Sequence, residues 1–266
     1  MVAIAPVTPA ESSFQPPVVR DISRADLSWA LREGWSDFLD KRGDIVLLIV
    51  LYPVLMLVVA AVTLGDGLFP LLLPLIAGLS LLGPIVAVGF YELARRREEG
   101  RDANWAHFLD PFRGPSGAQI ASLGIFLCLL FLAWVGVAWG VYQATLGALQ
   151  PTDFGTFARL LFTTPEGWAL ILFGNLAGFA FAVITLVTTV VSFPLLVDRP
   201  VDLVHAVQTS LRAARRNPVE IATWGLIVAV LLALACIPLF IGLAVALPVL
   251  GYASWHLYTR LVDRVV

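Results

Sequence analysis

The chain has 266 residues, of which 59% are hydrophobic and 14% charged, with a mean hydropathy of +0.88 and a formal net charge of -2. A soluble domain carries about a quarter charged residues, so this composition excludes an ordinary soluble fold, and the balanced charge argues against a nucleic-acid platform. Two cysteines, Cys128 and Cys236, are too few and too far apart for a disulfide framework or a zinc site, and both read as apolar packing residues.

Residues 1–20 lack a basic start and a continuous apolar run and hold Glu11 among several prolines, so they read as a flexible cytoplasmic tail and not as a signal peptide. The remaining residues, 21–266, read as one transmembrane domain. A bilayer core of roughly 30 Å takes about 20 residues of helix, and six segments reach that length, at about 45–64, 68–91, 120–142, 168–196, 219–238 and 241–262. The second carries Pro70, Pro74 and Pro84, tolerable in a membrane helix where neighbours satisfy the freed carbonyls. The fourth is long enough to tilt or to bend near Pro194, and the last two form a hairpin turning near 238–242.

These spans sort the charges. Arg20, Arg24, Arg32, Lys41, Arg42, Arg95, Arg96, Arg97, Arg101, Arg113, Arg199, Arg212, Arg215, Arg216, Arg260 and Arg264 fall on one side, and only Arg159 falls on the other. By the positive-inside rule both termini are cytoplasmic, which gives an all-α inner-membrane protein with six spans. Only Asp66, Asp153 and Glu166 among the acids lie outside, so the cytoplasmic face has mixed charge.

A segment with helical periodicity precedes each hairpin. Ser23 with Asp26 reads as a capping box, and Leu27, Leu31, Trp35 and Phe38 then share one helix face. Leu203, Val207, Leu211 and Ala214 repeat that spacing; Trp105, Leu109 and Phe112 share its phase but need a one-residue slip. The reading is three repeats of an amphipathic cytoplasmic helix plus a transmembrane hairpin, although interfacial helices in general show this periodicity. By analogy with transporters, such repeats leave a site at their junction.

The middle of every expected span lacks Asp, Glu, Lys, Arg and His, the groups on which proton relays and voltage sensors depend. Ser80, Asn175, Thr185, Thr188, Thr189 and Ser192 are the polar residues inside. Asn175 reads first as an interhelical hydrogen bond and second as a substrate contact. Asp44 and Glu220 open membrane helices, where a carboxylate meets the positive end of the helix dipole. His107, His205 and His256 sit at the cytoplasmic boundary without a second ligand at helical spacing, so no metal and no cofactor are expected. No phosphate-binding loop, nucleophile elbow or zinc-protease motif occurs. The topology brings Glu92, Asp198, Arg199, His205, Asn217, Trp255 and His256 to one cytoplasmic rim, the candidate functional surface together with the more distant Asn175.

The stretch 191–202 (VSFPLLVDRPVD), the pairs Asn217 with Pro218 and Trp224 with Gly225, and the stretch 248–258 (PVLGYASWHLY) carry a resemblance. Gly34 with Trp35, Gly83 with Pro84, and Tyr91, Glu92 and Leu93 add to it. The chain resembles, from about residue 20 onward, the bacterial integral membrane family called domain of unknown function 2189. That resemblance implies a six-helix inner-membrane protein and no assigned activity. Where the family tends to show Gly-His-Ala-Thr-Trp-His, this chain has Gly251, Tyr252, Ala253, Ser254, Trp255 and His256, so one of two histidines is replaced by tyrosine, a poor metal ligand.

Three functional expectations follow. The first is a non-enzymatic accessory protein that binds a membrane-protein partner or supports assembly. The second is a permease for a neutral or weakly polar solute, and the third is an enzyme acting on a lipid at the cytoplasmic rim. The lipid bilayer is the one partner all three share.

Overall fold

A computed structural model describes residues 17–40, 68–238 and 240–264, with positions 54, 58, 59 and 61 between the first two stretches. Among the described residues the regular structure is helical apart from one isolated antiparallel bridge, Val19 to Val262. The helices are α1 (Arg24–Asp40), α2 (Leu72–Leu79), α3 (Gly83–Glu98), α4 (Asp110–Arg113), α5 (Gly117–Ala144), α6 (Phe154–Thr163), α7 (Pro165–Thr189), α8 (Ser192–Asp198), α9 (Leu203–Arg216), α10 (Pro218–Cys236) and α11 (Leu243–Leu261).

Four helical stretches are long and apolar enough to cross a membrane: Leu72–Glu98, Gly117–Ala144, Pro165–Asp198 and Pro218–Cys236. The expectation of six is corrected to these four among the described residues. The first expected span, 45–64, lies outside them but for four positions. The sixth, 241–262, forms helix α11 but is too polar to qualify, because Ser254, His256 and Arg260 dilute its apolar residues. Instead α11 is the most enclosed of the long helices described, flanked by α1, α3, α8 and α10.

Two glycines explain how closely α11 is held. A Cβ on Gly34 of α1 would lie 2.6 Å from the backbone nitrogen of Ala253, and one on Gly251 would lie 2.7 Å from Cβ of Phe90 in α3. Both distances are below van der Waals contact, so only hydrogen fits at these crossings. Phe90 is then ringed by Trp105, Phe108 and Tyr252, each edge-on with centroids 5.0–5.8 Å away.

The main core joins α1, the second half of α3, the first third of α5, α8, α9, the start of α10 and α11. Away from that end the apolar side chains of α5, α7 and α10 point outward, among them Leu129, Leu132, Phe173, Leu176, Phe179 and Leu226. A surface this apolar is stable facing lipid, where no penalty attaches to exposed hydrocarbon. Cys128 belongs to that outward surface and Cys236 is half-buried, so the packing role expected of Cys128 is not what the structure gives it.

The fourth span breaks where Pro194 predicts a bend. Proline has no N–H to give Val190, four residues earlier, and α7 ends at Thr189 before α8 begins at Ser192. Ser210 of α9 fills the gap: its hydroxyl donates to the Val187 carbonyl at 2.8 Å and accepts from the Val191 N–H at 3.2 Å. Those two backbone groups would bond each other in a continuous helix, so the hydroxyl is inserted into the ladder, a recognised cause of kinks.

Helices α1 and α9 form where the periodicity predicts them, but Trp35 of the expected α1 face is exposed, and α9 buries Ala206, Thr209, Ser210 and Ala213 in place of the expected Leu203, Val207, Leu211 and Ala214. Asp26 accepts from the Ser23 N–H at 2.9 Å, one limb of the capping box, while the Ser23 hydroxyl donates to the same carboxylate at 2.7 Å. The middle segment differs, with a 3-10 turn at Trp105–His107 and the single turn α4. Pro111 near the start of α4 has no N–H to give the His107 carbonyl four residues earlier, so no continuous helix runs through from Trp105. Helix α6 was not expected; Asp153 caps it by accepting from the Thr156 N–H at 3.0 Å, and Phe157 packs it against Tyr142 and Leu146.

Candidate functional site

Most of the rim residues lie at the end of the bundle where the core lies, each bonded to charged or polar partners around it. Glu92 is 1% exposed on α3. It accepts from Arg95 Nη2 at 2.7 Å and Arg96 Nε at 2.6 Å, one helical turn ahead on the same helix. Arg96 continues to Asp110 at 2.8 Å, and Asp110 bonds His107 Nδ1 at 2.7 Å. The His107 bond, with Arg96 beside it, holds the Asp110 carboxyl below the ordinary carboxylate range. The chain thus ties the loop after α3 back onto α3.

A second cluster gathers on Asp198 at the end of α8. Its carboxylate accepts from Tyr258 Oη at 2.8 Å, from Arg199 Nη2 at 3.0 Å and from Arg264 Nη2 at 3.1 Å. Arg264 also donates to Glu98 at 2.6 Å, and Glu98 accepts from Trp255 Nε1 at 3.2 Å. Helices α3, α8 and α11 and the segment after α11 therefore meet in one net. Hydrogen bonds to charged groups are worth about 1.5–3 kcal/mol each when sheltered, so this net fixes geometry as well as charge.

His256 faces α1. Its Nε2 lies 2.8 Å from Asp37 Oδ2, its ring meets Trp29 edge-on at 5.6 Å, and Arg97 of α3 approaches Asp37 at 3.3 Å. Arg260, one turn on, stacks over Trp29 at 4.1 Å. The space enclosed by Asp37, Leu93, Arg97, Ala103 and Tyr252 holds about 10 Å³, the room of a single water.

Asn217 is 2% exposed and closes the end of α9. Its Oδ1 accepts from the Ile22 N–H at 2.9 Å and its Nδ2 donates to the Arg20 carbonyl at 3.0 Å. The segment it grips is also held by Arg20 N–H to Leu261 O at 2.8 Å, Asp263 N–H to Val18 O at 2.9 Å, and a two-pronged Arg216 contact to Asp21 at 2.6 and 2.7 Å. That guanidinium holds the Asp21 carboxyl below its ordinary range.

Two candidates stand apart. His205 serves the N-terminus of α9: its backbone N–H donates to Asp202 Oδ1 at 2.9 Å and its ring bonds the same carboxylate, which these bonds hold below the ordinary range. Asn175 is exposed on α7 and donates to the Ile171 carbonyl of its own helix at 2.7 Å, in place of the expected interhelical bond.

Sequence reasoning missed Asp37, Glu98, Tyr258 and Arg264 as members of the rim. Periodicity could have found Asp37, which falls near the Leu27–Phe38 face of α1, but the partners come from 60 to 219 residues away. It also missed an open cleft of about 490 Å³ lined by Pro17, Val18, Val19, Arg212, Arg215 and Arg216. Among the described residues no three His, Cys, Asp or Glu side chains converge as a metal site.

No curated protein and no solved structure matches this chain. A family model described as predicted integral membrane protein (DUF2189) matches residues 72–198. The match includes Gly83 with Pro84, Tyr91 with Glu92, and the stretch up to Asp198, and is narrower than the resemblance read from residue 20 onward. From α2 to α8, then, the chain carries the sequence pattern of this family of integral membrane proteins.

Proposed function

We propose that this is a bacterial inner-membrane protein with both termini cytoplasmic, which acts without catalysis as an accessory that binds a membrane partner or supports its assembly. The observation that carries this reading is the closed rim: Asp198, Trp255 and His256 bond across α8, α11, α3 and α1, Glu92 holds Arg95 and Arg96 of its own helix, and Asn217 ties the end of α9 to the segment before α1. Such a net makes the cytoplasmic end a rigid scaffold. A three-unit organisation belongs to the same proposal and draws support from α9, which leads into the helix pair α10 and α11.

The partner surface we favour is α5. Gly136 and Gly140 are exposed one turn apart with open space where a Cβ would stand, and small residues at this spacing let a second helix approach closely in lipid. The test is purification in two detergents followed by protein identification. Recovery of one membrane protein in fixed stoichiometry, lost on G136L/G140L, is the expected result; a monomer that retains nothing reproducibly contradicts the proposal. The lipid-enzyme alternative has its own test, since activity unchanged by replacing both Glu92 and His256 removes the rim as its site.

A further inference from the structure

Arg212, Arg215 and Arg216 stand at the C-terminal end of α9 with spacings of three, four and one, so they share one face of the helix. Arg216 is paired with Asp21, whereas Arg212 and Arg215 are exposed and have no acidic partner among the described residues. This contrasts with the rim, where Arg95, Arg96, Arg97, Arg199 and Arg264 all meet carboxylates. Like charges at helical spacing repel, and the local helix dipole offsets only part of that cost.

The opposite wall of the cleft is apolar. Pro17, Val18 and Val19 complete it, with Val18 60% exposed. The cleft volume of about 490 Å³ suits a phosphate-bearing headgroup with its glycerol backbone. Its depth is set by the chain itself, because the membrane span Pro218–Cys236 starts two residues after Arg216 and presents Val219 outward. A guanidinium wall, an apolar wall and a position at the start of a span match the anionic end of a phospholipid.

We propose that this cleft binds the headgroup of an anionic phospholipid, with Arg212 and Arg215 on the phosphate and Pro17 and Val18 against the glycerol and first acyl carbons. The inference does not rest on the partner-binding role and fails or stands separately from it. It is tested by native mass spectrometry of the purified full chain, titrated with phosphatidylglycerol, with phosphatidylcholine of equal chain length, and with inorganic phosphate as competitor. The wild-type chain retains phosphatidylglycerol over phosphatidylcholine, and millimolar phosphate does not displace it. R212Q/R215Q weakens that binding by about tenfold or more, while R24Q/R32Q, which removes the same charge from α1, leaves it within about twofold. Equal retention of both lipids, equal loss in the two variants, or displacement by phosphate each overturns the proposal. Because all four arginines are exposed, unchanged melting of both variants is expected; if R212Q/R215Q melts lower, R212K/R215K, which keeps the charge, must restore selectivity or the proposal fails.

Discussion

Replacing Ser210 by alanine tests the account of the broken fourth span. The hydroxyl serves two backbone groups, the Val187 carbonyl at 2.8 Å and the Val191 N–H at 3.2 Å, and both Ser210 and Val191 are fully buried. Each unpaired buried group costs about 1–3 kcal/mol. The two could recover part of that by bonding each other, but Pro194 resists closure of the helix at this point. The expected loss is therefore about 2–4 kcal/mol, together with faster amide exchange over 187–195. Urea unfolding in a mild detergent, followed by tryptophan fluorescence, measures the loss, and exchange mass spectrometry locates it. S210A with unchanged stability and unchanged exchange would show that the ladder closes without the hydroxyl and would refute the reasoning. The control is T223A, whose exposed hydroxyl bonds only within its own helix and whose loss costs under about 0.5 kcal/mol.

Asn217→Ala strips partners from the Ile22 N–H and the Arg20 carbonyl, both part-buried; about 1–3 kcal/mol is lost in the same unfolding assay, and protease cuts near residue 20 more readily. Gly34→Ala places a methyl 2.6 Å from the Ala253 backbone, so α1 and α11 must separate, at an expected cost of about 2 kcal/mol or more. A crosslink between introduced cysteines on α1 and α11 then slows. The Asp21 carboxyl, held low by Arg216, stays ionised and holds the 17–22 segment above its ordinary titration range; the contact is lost as pH falls through its depressed value. Amide exchange at Ile22, corrected for intrinsic rates, is expected to rise below about pH 4 in the wild type and to show no such step in D21N.

Much of the fold was legible because lipid and helix geometry leave strong marks. Apolar runs located α5, α7 and α10 to within a few residues, and Pro194 marked the break that Ser210 completes. Leu203, Val207, Leu211 and Ala214 placed α9 by spacing alone. Helix α11 was misread because its apolar content resembles a lipid-facing span, whereas Gly251, Ala253, Ser254 and His256 equip it to be packed on several sides by protein. Helix α6 was missed since its ten residues lie between two long spans and read as a loop. In the rim, sequence named Glu92, Asp198, Trp255 and His256 from topology, but their partners Arg96, Tyr258, Glu98 and Asp37 depend on packing between distant segments that no local pattern encodes.

The central claim, that the polar rim and both termini lie in the cytoplasm, is tested most directly by thiol accessibility in intact cells. In a chain with Cys128 and Cys236 replaced, single cysteines at Thr152, between α5 and α6, and at Gln208, exposed on α9, face opposite sides of the membrane in this account. A membrane-impermeant maleimide is expected to label T152C in intact spheroplasts and Q208C only after permeabilisation. Labelling of Q208C in intact spheroplasts, with T152C protected, would contradict it.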